Sequence, residues 1–113
     1  MADETPAYIT PDIERRQYRR VKLLTQVKCG APSRDQLLVT RDISAGGLFV
    51  TTKTPLPVNV EVTVSFRLDP QAPAINCRGK IVNSLPGRGM GVQFLDLDEG
   101  TRVAIQKFVD ESL

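Results

Sequence analysis

Apolar and polar residues alternate along most of this chain, and spacing of the kind a helix shows occurs once. The clearest stretch runs from Val58 to Leu68, where Val58, Val60, Val62, Val64, Phe66 and Leu68 share one face and Asn59, Glu61, Thr63, Ser65 and Arg67 the other. A repeat of two is the mark of a strand with one buried side. Shorter β-rich runs flank it. Val21–Cys29 and Leu37–Thr40 are separated by Gly30-Ala-Pro-Ser-Arg34, which has the composition of a turn, so the two runs predict a hairpin. Asp42–Gly47 interrupts the pattern, Leu48–Thr52 resumes it, and Pro55 and Pro57 mark a loop. Ile75–Leu85 and Met90–Leu95, joined by Pro86-Gly-Arg-Gly89, predict a last hairpin. Helical spacing appears at Val103, Ala104, Ile105, Phe108 and Val109, behind Asp98 as the capping residue, and predicts a helix to about Ser112. Residues 1–13, with Pro6 and Pro11 and no periodic pattern, read as a flexible leader to a domain of residues 14–113. Six strands and one terminal helix describe an all-β fold, an antiparallel barrel or closely wrapped sandwich with the helix plugging an end or covering a face.

Composition narrows the class. A length of 113 residues accommodates one core, and 41% apolar with 25% charged residues is ordinary for a globular domain. No run nears the roughly 18 to 20 apolar residues of a membrane-spanning helix, and the acidic start, Met1-Ala-Asp-Glu4, has no signal segment behind it, so the expected location is the cytoplasm. Cys29 and Cys77 lie in apolar runs without CxxC spacing and are expected to be buried, reduced thiols. The net charge of +2 is too small for a global attraction to nucleic acid or anionic lipid, but its distribution is uneven. Arg15, Arg16, Arg19, Arg20, Lys22 and Lys28 follow one another with no acid among them, whereas Asp96, Asp98, Glu99, Asp110 and Glu111 gather near the C-terminus.

Catalysis finds little support. The chain has no histidine, which removes Ser-His and Cys-His nucleophiles and histidine-based zinc sites. The acids form no evident catalytic pair. Gly87-Arg-Gly-Met-Gly91 has the look of a phosphate loop but lies between two strands and leads into no helix, so a turn is the better reading. A binding protein without enzymatic activity, metal or cofactor is expected.

Two short segments stand out. In Glu14-Arg-Arg-Gln-Tyr-Arg-Arg-Val21, four of six consecutive residues are arginine, the planar and permanently charged type that grips phosphate bidentately and stacks on bases. A solvated tail would look similar. Asp42-Ile-Ser-Ala-Gly-Gly47 reads equally as a turn, with glycines at positive φ, or as a site where a carboxylate accepts from the N1 and N2 edge of guanine and glycines let a ligand close to the backbone. Together, Arg16-Gln-Tyr-Arg-Arg20 and Asp42-Ile-Ser-Ala-Gly-Gly47 resemble the RxxxR and [D/N]xSxxG motifs of PilZ domains, the bacterial receptors for cyclic di-GMP. The likeness continues through Gly79-Lys-Ile-Val82 and Gly89-Met-Gly-Val-Gln-Phe94, and covers roughly residues 14 to 110.

The resemblance implies a six-stranded antiparallel PilZ-type β-barrel with a C-terminal helix. It implies that Arg16 and Arg20 contact phosphate and guanine, that Asp42 and Ser44 bind a guanine edge and neighbouring phosphate or ribose groups, and that Gly47 keeps the floor of the site clear. Arg15, just before the motif, is where an arginine in similar domains accompanies two intercalated cyclic di-GMP molecules rather than one. The frame Arg15-x-x-x-Arg19 also satisfies RxxxR, but Arg20 directly precedes the first strand, as in similar domains. Ligand binding would then order the arginine segment and report to an unidentified downstream protein in trans. The alternatives are a PilZ-like adaptor that binds protein and no nucleotide, and direct nucleic-acid binding through the basic arm. Few aromatics and the low net charge disfavour the latter.

Overall fold

A computed structural model of the chain describes residues 19–31 and 34–113, so Arg15, Arg16 and the expected leader lie outside the described residues. Among the described residues seven strands and one helix follow in order: β1 (Val21–Lys22), β2 (Gln26–Ala31), β3 (Arg34–Ser44), β4 (Gly47–Thr51), β5 (Glu61–Phe66), β6 (Ile75–Leu85), β7 (Gly89–Phe94) and α1 (Glu99–Ser112). All strand pairs are antiparallel. Hydrogen bonding runs β3-β2-β5-β6-β7-β4 and returns from β4 to β3, closing a six-stranded barrel, while β1 pairs with the far end of β3 as a seventh, short strand. This is the expected architecture, and closure leaves the six strands without an open edge.

Alternation supplies the core. Val27 and Cys29 of β2, Val62, Val64 and Phe66 of β5, Ile81 of β6, and Met90 and Val92 of β7 all face inward. The helix contributes Ile105 and Val109, both fully buried in the same cluster, and packs on β3. Asp98 caps it as expected, its carboxylate accepting from the Thr101 amide at 2.7 Å. Those bonds hold the Asp98 carboxyl below its usual pKa.

Three boundaries depart from the sequence reading. The alternating stretch from Val58 enters the sheet only at Glu61, because Pro57, Val58 and Asn59 form a turn closed by the Val60 amide on the Pro57 carbonyl, with Asn59 at φ 80°. Val58 is therefore half exposed rather than core. The run Val21–Cys29 is two strands, not one, because residues 23–25 bow around the fully buried Thr40. Its hydroxyl donates to the Leu23 carbonyl at 2.5 Å and accepts from the Thr25 amide at 3.0 Å. Finally, Asp42, Ile43 and Ser44 are strand residues of β3, and only Ala45 and Gly46 form the turn.

The cysteines are free, Cys29 buried but Cys77 only partly so, which corrects the expectation of a buried pair. Both pair with Val64, from opposite sides, so two strand spacings separate them. That is about 9.6 Å, too far for a disulfide. Burial pushes both thiols up to about 11, with the Asp96 charge adding to the effect at Cys77.

Candidate functional site

Two of the four strands that line the site, β3 and β6, are bent by β-bulges. In β3, Thr40 pairs with Val50 and Asp42 with Phe49, leaving Arg41 as the extra residue. In β6, Ile81 pairs with Val92 and Asn83 with Gly91, leaving Val82 extra. A bulge breaks strict alternation and re-aims side chains. On β3 its consequence is that neighbouring residues Arg41 and Asp42 reach each other on the outer surface, Arg41 Nε donating to Asp42 Oδ2 at 2.9 Å.

Between the bulged strands lies a cleft of about 830 Å³ on the outside of the barrel, lined by Arg20, the β3–β4 hairpin from Arg41 to Phe49, Val82, Asn83, Leu85 and Arg88, and Gly91, Val92 and Gln93 of β7. This is within the span of roughly 300 to 1,000 Å³ usual for small-molecule sites. Among the described residues its lining carries three arginines and a single carboxylate, Asp42. Such a balance favours an anion.

Asp42 is the hub. Arg20 grips Oδ1 with two N–H groups, Nε at 2.8 Å and Nη2 at 2.7 Å, while Arg41 holds Oδ2. The carboxylate is 17% exposed. Pairing of β1 with Asp42 and Ile43 brings Arg20 there: Lys22 sits opposite Asp42, and the Arg20 side chain, two residues earlier, reaches the carboxylate. Of the six residues that the sequence singled out, the structure thus brings Arg20, Asp42, Ser44 and Gly47 to one cleft. Arg15 and Arg16 lie outside the described residues.

Ser44 and Gly47 have duties within the fold. Ser44 is buried, and its hydroxyl accepts from the Gly46 amide at 3.1 Å and points its proton toward the Gly47 carbonyl at 3.5 Å, bracing the two-residue turn. The Gly46 carbonyl in turn accepts from the Phe94 amide of β7 at 2.9 Å. Positive φ occurs at Gly87, not at Gly46 or Gly47, so the expectation of left-handed glycines in this turn is not met. What Gly47 supplies is space: a Cβ there would overlap the Val92 carbonyl oxygen and lie 3.2 Å from Gln93 Cα, across the β4–β7 pairing.

Sequence reasoning missed Arg41, Phe49 and Arg88. The Arg41 guanidinium lies over the Phe49 ring, 3.9 Å from its centroid. Gly89 leaves room for that ring, since a Cβ there would overlap it. A signal existed in Leu48-Phe49-Val50: three consecutive apolar strand residues mean that both faces are covered, and Phe49 packs outside the core that Leu48 and Val50 fill. Gly87 makes the expected β6–β7 turn at φ 77°, and the adjacent Arg88 faces the cleft. Among the described residues no cluster of potential metal ligands occurs, and no helix is long and apolar enough to cross a membrane.

A model of the PilZ domain matches residues 14–111. Three solved structures share the fold. The Bacillus subtilis inhibitor of motility MotI (DgrA) aligns with TM-score 0.74 and 19% identity over 85% of this chain and 50% of that one. Escherichia coli YcgR in complex with c-di-GMP aligns with TM-score 0.71 and 12% identity over 86% of this chain and 45% of that one. The PilZ domain of YcgR with c-di-GMP gives TM-score 0.69 and 12% identity over 87% and 91% respectively. The chain therefore spans about half the length of the MotI and YcgR chains, and nearly all of the isolated domain. Among curated proteins no sequence match is found.

Proposed function

The chain belongs to the PilZ domain family, and on that footing we propose that it is a cytoplasmic receptor which binds cyclic di-GMP and carries out no catalysis of its own. The observation that carries this reading is Asp42 held between Arg20 and Arg41 at an arginine-rich cleft. A guanine presents two donors, N1–H and the 2-amino group, to a carboxylate, which accepts through both oxygens. When guanine takes Asp42, Arg20 is freed for a phosphate a few ångströms away. Arg16 supplies a second phosphate and base contact, and Arg15 stacks on the outer base of a second, intercalated molecule. Ser44 forms the inner wall near the phosphate and ribose groups, and Gly47 lets the floor lie flat.

Ligand phosphates neutralise the segment from Arg15 to Arg20, whose four arginines otherwise repel one another, and draw it across the barrel. Ordering this segment changes the surface offered to a downstream protein in trans, which is how binding becomes a signal. The alignments of YcgR structures with c-di-GMP support the choice of ligand.

The test is calorimetric titration with cyclic di-GMP, cyclic di-AMP, GTP and a short oligonucleotide. Cyclic di-GMP is expected to bind. Cyclic di-AMP is expected to compete poorly, because the adenine N1 acceptor faces Asp42 where guanine offers a donor, leaving buried polar groups unpaired. No binding of cyclic di-GMP refutes the receptor reading and leaves a protein adaptor. Equal competition by cyclic di-AMP refutes Asp42 as the base reader.

A further inference from the structure

Among the described residues lining the cleft Phe49 is the sole aromatic, yet it is only 7% exposed and has the Arg41 guanidinium over its ring. An incoming base cannot reach the ring. It can reach Arg41, whose side chain is 54% exposed. Two contacts fix that guanidinium in place: the ring beneath it at 3.9 Å, and the Asp42 carboxylate at its edge, 2.9 Å from Nε. The bulge at Arg41 makes both contacts possible, since an alternating strand would send Arg41 and Asp42 to opposite faces. A long, exposed arginine is ordinarily free to choose among rotamers; this one is held at two points.

We propose that Arg41, seated on Phe49, is a stacking shelf for one guanine of the ligand and is distinct from the arginines of the N-terminal motif. Asp42 binds a base edge-on, beside the plane of Arg41, so the face of Arg41 receives the ligand's other base. Asp42 takes the Nε edge of the guanidinium, and the plane seated on Phe49 suits a base, since guanidinium planes stack on nucleobases as they do on aromatic rings. This inference rests on the reading of the cleft as a cyclic di-GMP site.

The variants are Arg41→Lys, which keeps the charge and loses the plane, Arg41→Ala, and Phe49→Leu, which removes the seat. Calorimetry with cyclic di-GMP should show about tenfold weaker binding for both Arg41 variants, the scale of one stacking contact. Preference for cyclic di-GMP over cyclic di-AMP should persist, because Asp42 is untouched. In the wild type, the Arg41 Nε–H proton resonance should move upfield on titration as a base ring covers it. Phe49→Leu should weaken binding to a similar extent and add little to Arg41→Lys. If its thermal unfolding shows that the fold is lost, the exposed Arg41 variants carry the test alone. Wild-type affinity in Arg41→Lys, or an Arg41 resonance that does not move upfield, overturns the shelf while leaving the receptor reading intact. Failure of the receptor reading looks different: the wild type itself gives no binding heat with cyclic di-GMP, and the shelf falls with it.

Discussion

Gly47→Ala separates what Gly47 does for the barrel from what it does for a ligand. The added methyl overlaps the Val92 carbonyl oxygen and meets Val92 C at 3.1 Å and Gln93 Cα at 3.2 Å, all backbone atoms of β7 that cannot rotate away. Restoring a carbon–oxygen contact to ordinary length means moving β4 from β7 by on the order of 1 Å. The Gly46 carbonyl bond to the Phe94 amide, 2.9 Å long, is stretched past useful length by such a shift. Overpacking at a rigid site costs about 1 to 3 kcal/mol, and a lost interstrand hydrogen bond adds about 1. A loss of about 3 kcal/mol corresponds to a fall in melting temperature of roughly 12 °C for a domain of this size. Thermal unfolding followed by far-UV circular dichroism gives the number, and calorimetry on the same sample gives the affinity. Lost binding with unchanged melting temperature would refute the packing argument and return Gly47 to a direct role under the ligand.

Other substitutions probe the arginines and the helix cap. Arg16→Ala and Arg20→Ala should each weaken cyclic di-GMP binding by roughly a hundredfold or more, the loss of two charge-assisted hydrogen bonds, with melting temperature unchanged; near-native affinity in calorimetry counts against the assignment. Arg15→Leu should lower calorimetric stoichiometry from two ligands per protomer toward one while guanine selectivity stays, and an unchanged ratio removes the role given to Arg15. Asp98→Asn should keep the cap but flatten the acid end of the stability curve. The folded carboxyl sits below its ordinary pKa, so its contribution is complete above about pH 4 and disappears as pH falls through the lowered value. Identical acid unfolding curves for wild type and variant would show that Asp98 is not the titrating cap.

The barrel was legible because alternation depends on nothing beyond the strand itself. Val60, Val62, Val64 and Phe66 announce an inward face whatever their neighbours do. Val58 misled because Asn59 adopts a left-handed backbone, which hydrophobic pattern does not encode. Asp42–Gly47 misled in the opposite way. Its composition suits a turn, but the residues act singly: Ser44 braces, Ala45 and Gly46 turn, and Gly47 makes room for β7. Arg41 was hidden for a deeper reason. A bulge is a property of two strands in register, and only the pairing of Thr40 with Val50 and Asp42 with Phe49 reveals that Arg41 is the residue left over.

That bulge also explains how one acid among several cations can select a ligand. Partly exposed ion pairs such as Arg20–Asp42 and Arg41–Asp42 contribute little, about 0 to 1 kcal/mol each, so they hold the site in shape without closing it. A hydrogen bond from an uncharged donor to an ionised carboxylate is worth about 1.5 to 3 kcal/mol. Exchange of Arg20 for a guanine edge is therefore downhill at Asp42, and further downhill where Arg20 meets an anionic group of the same ligand. Inorganic phosphate satisfies Arg20 but leaves Asp42 with Arg41 alone and faces it with like charge. An uncharged nucleoside satisfies Asp42 but strands Arg20. On the proposed reading, a guanine nucleotide brings the two donors and the anionic oxygens on one frame and gains at Asp42 and Arg20 together, where phosphate or nucleoside gains at one of them.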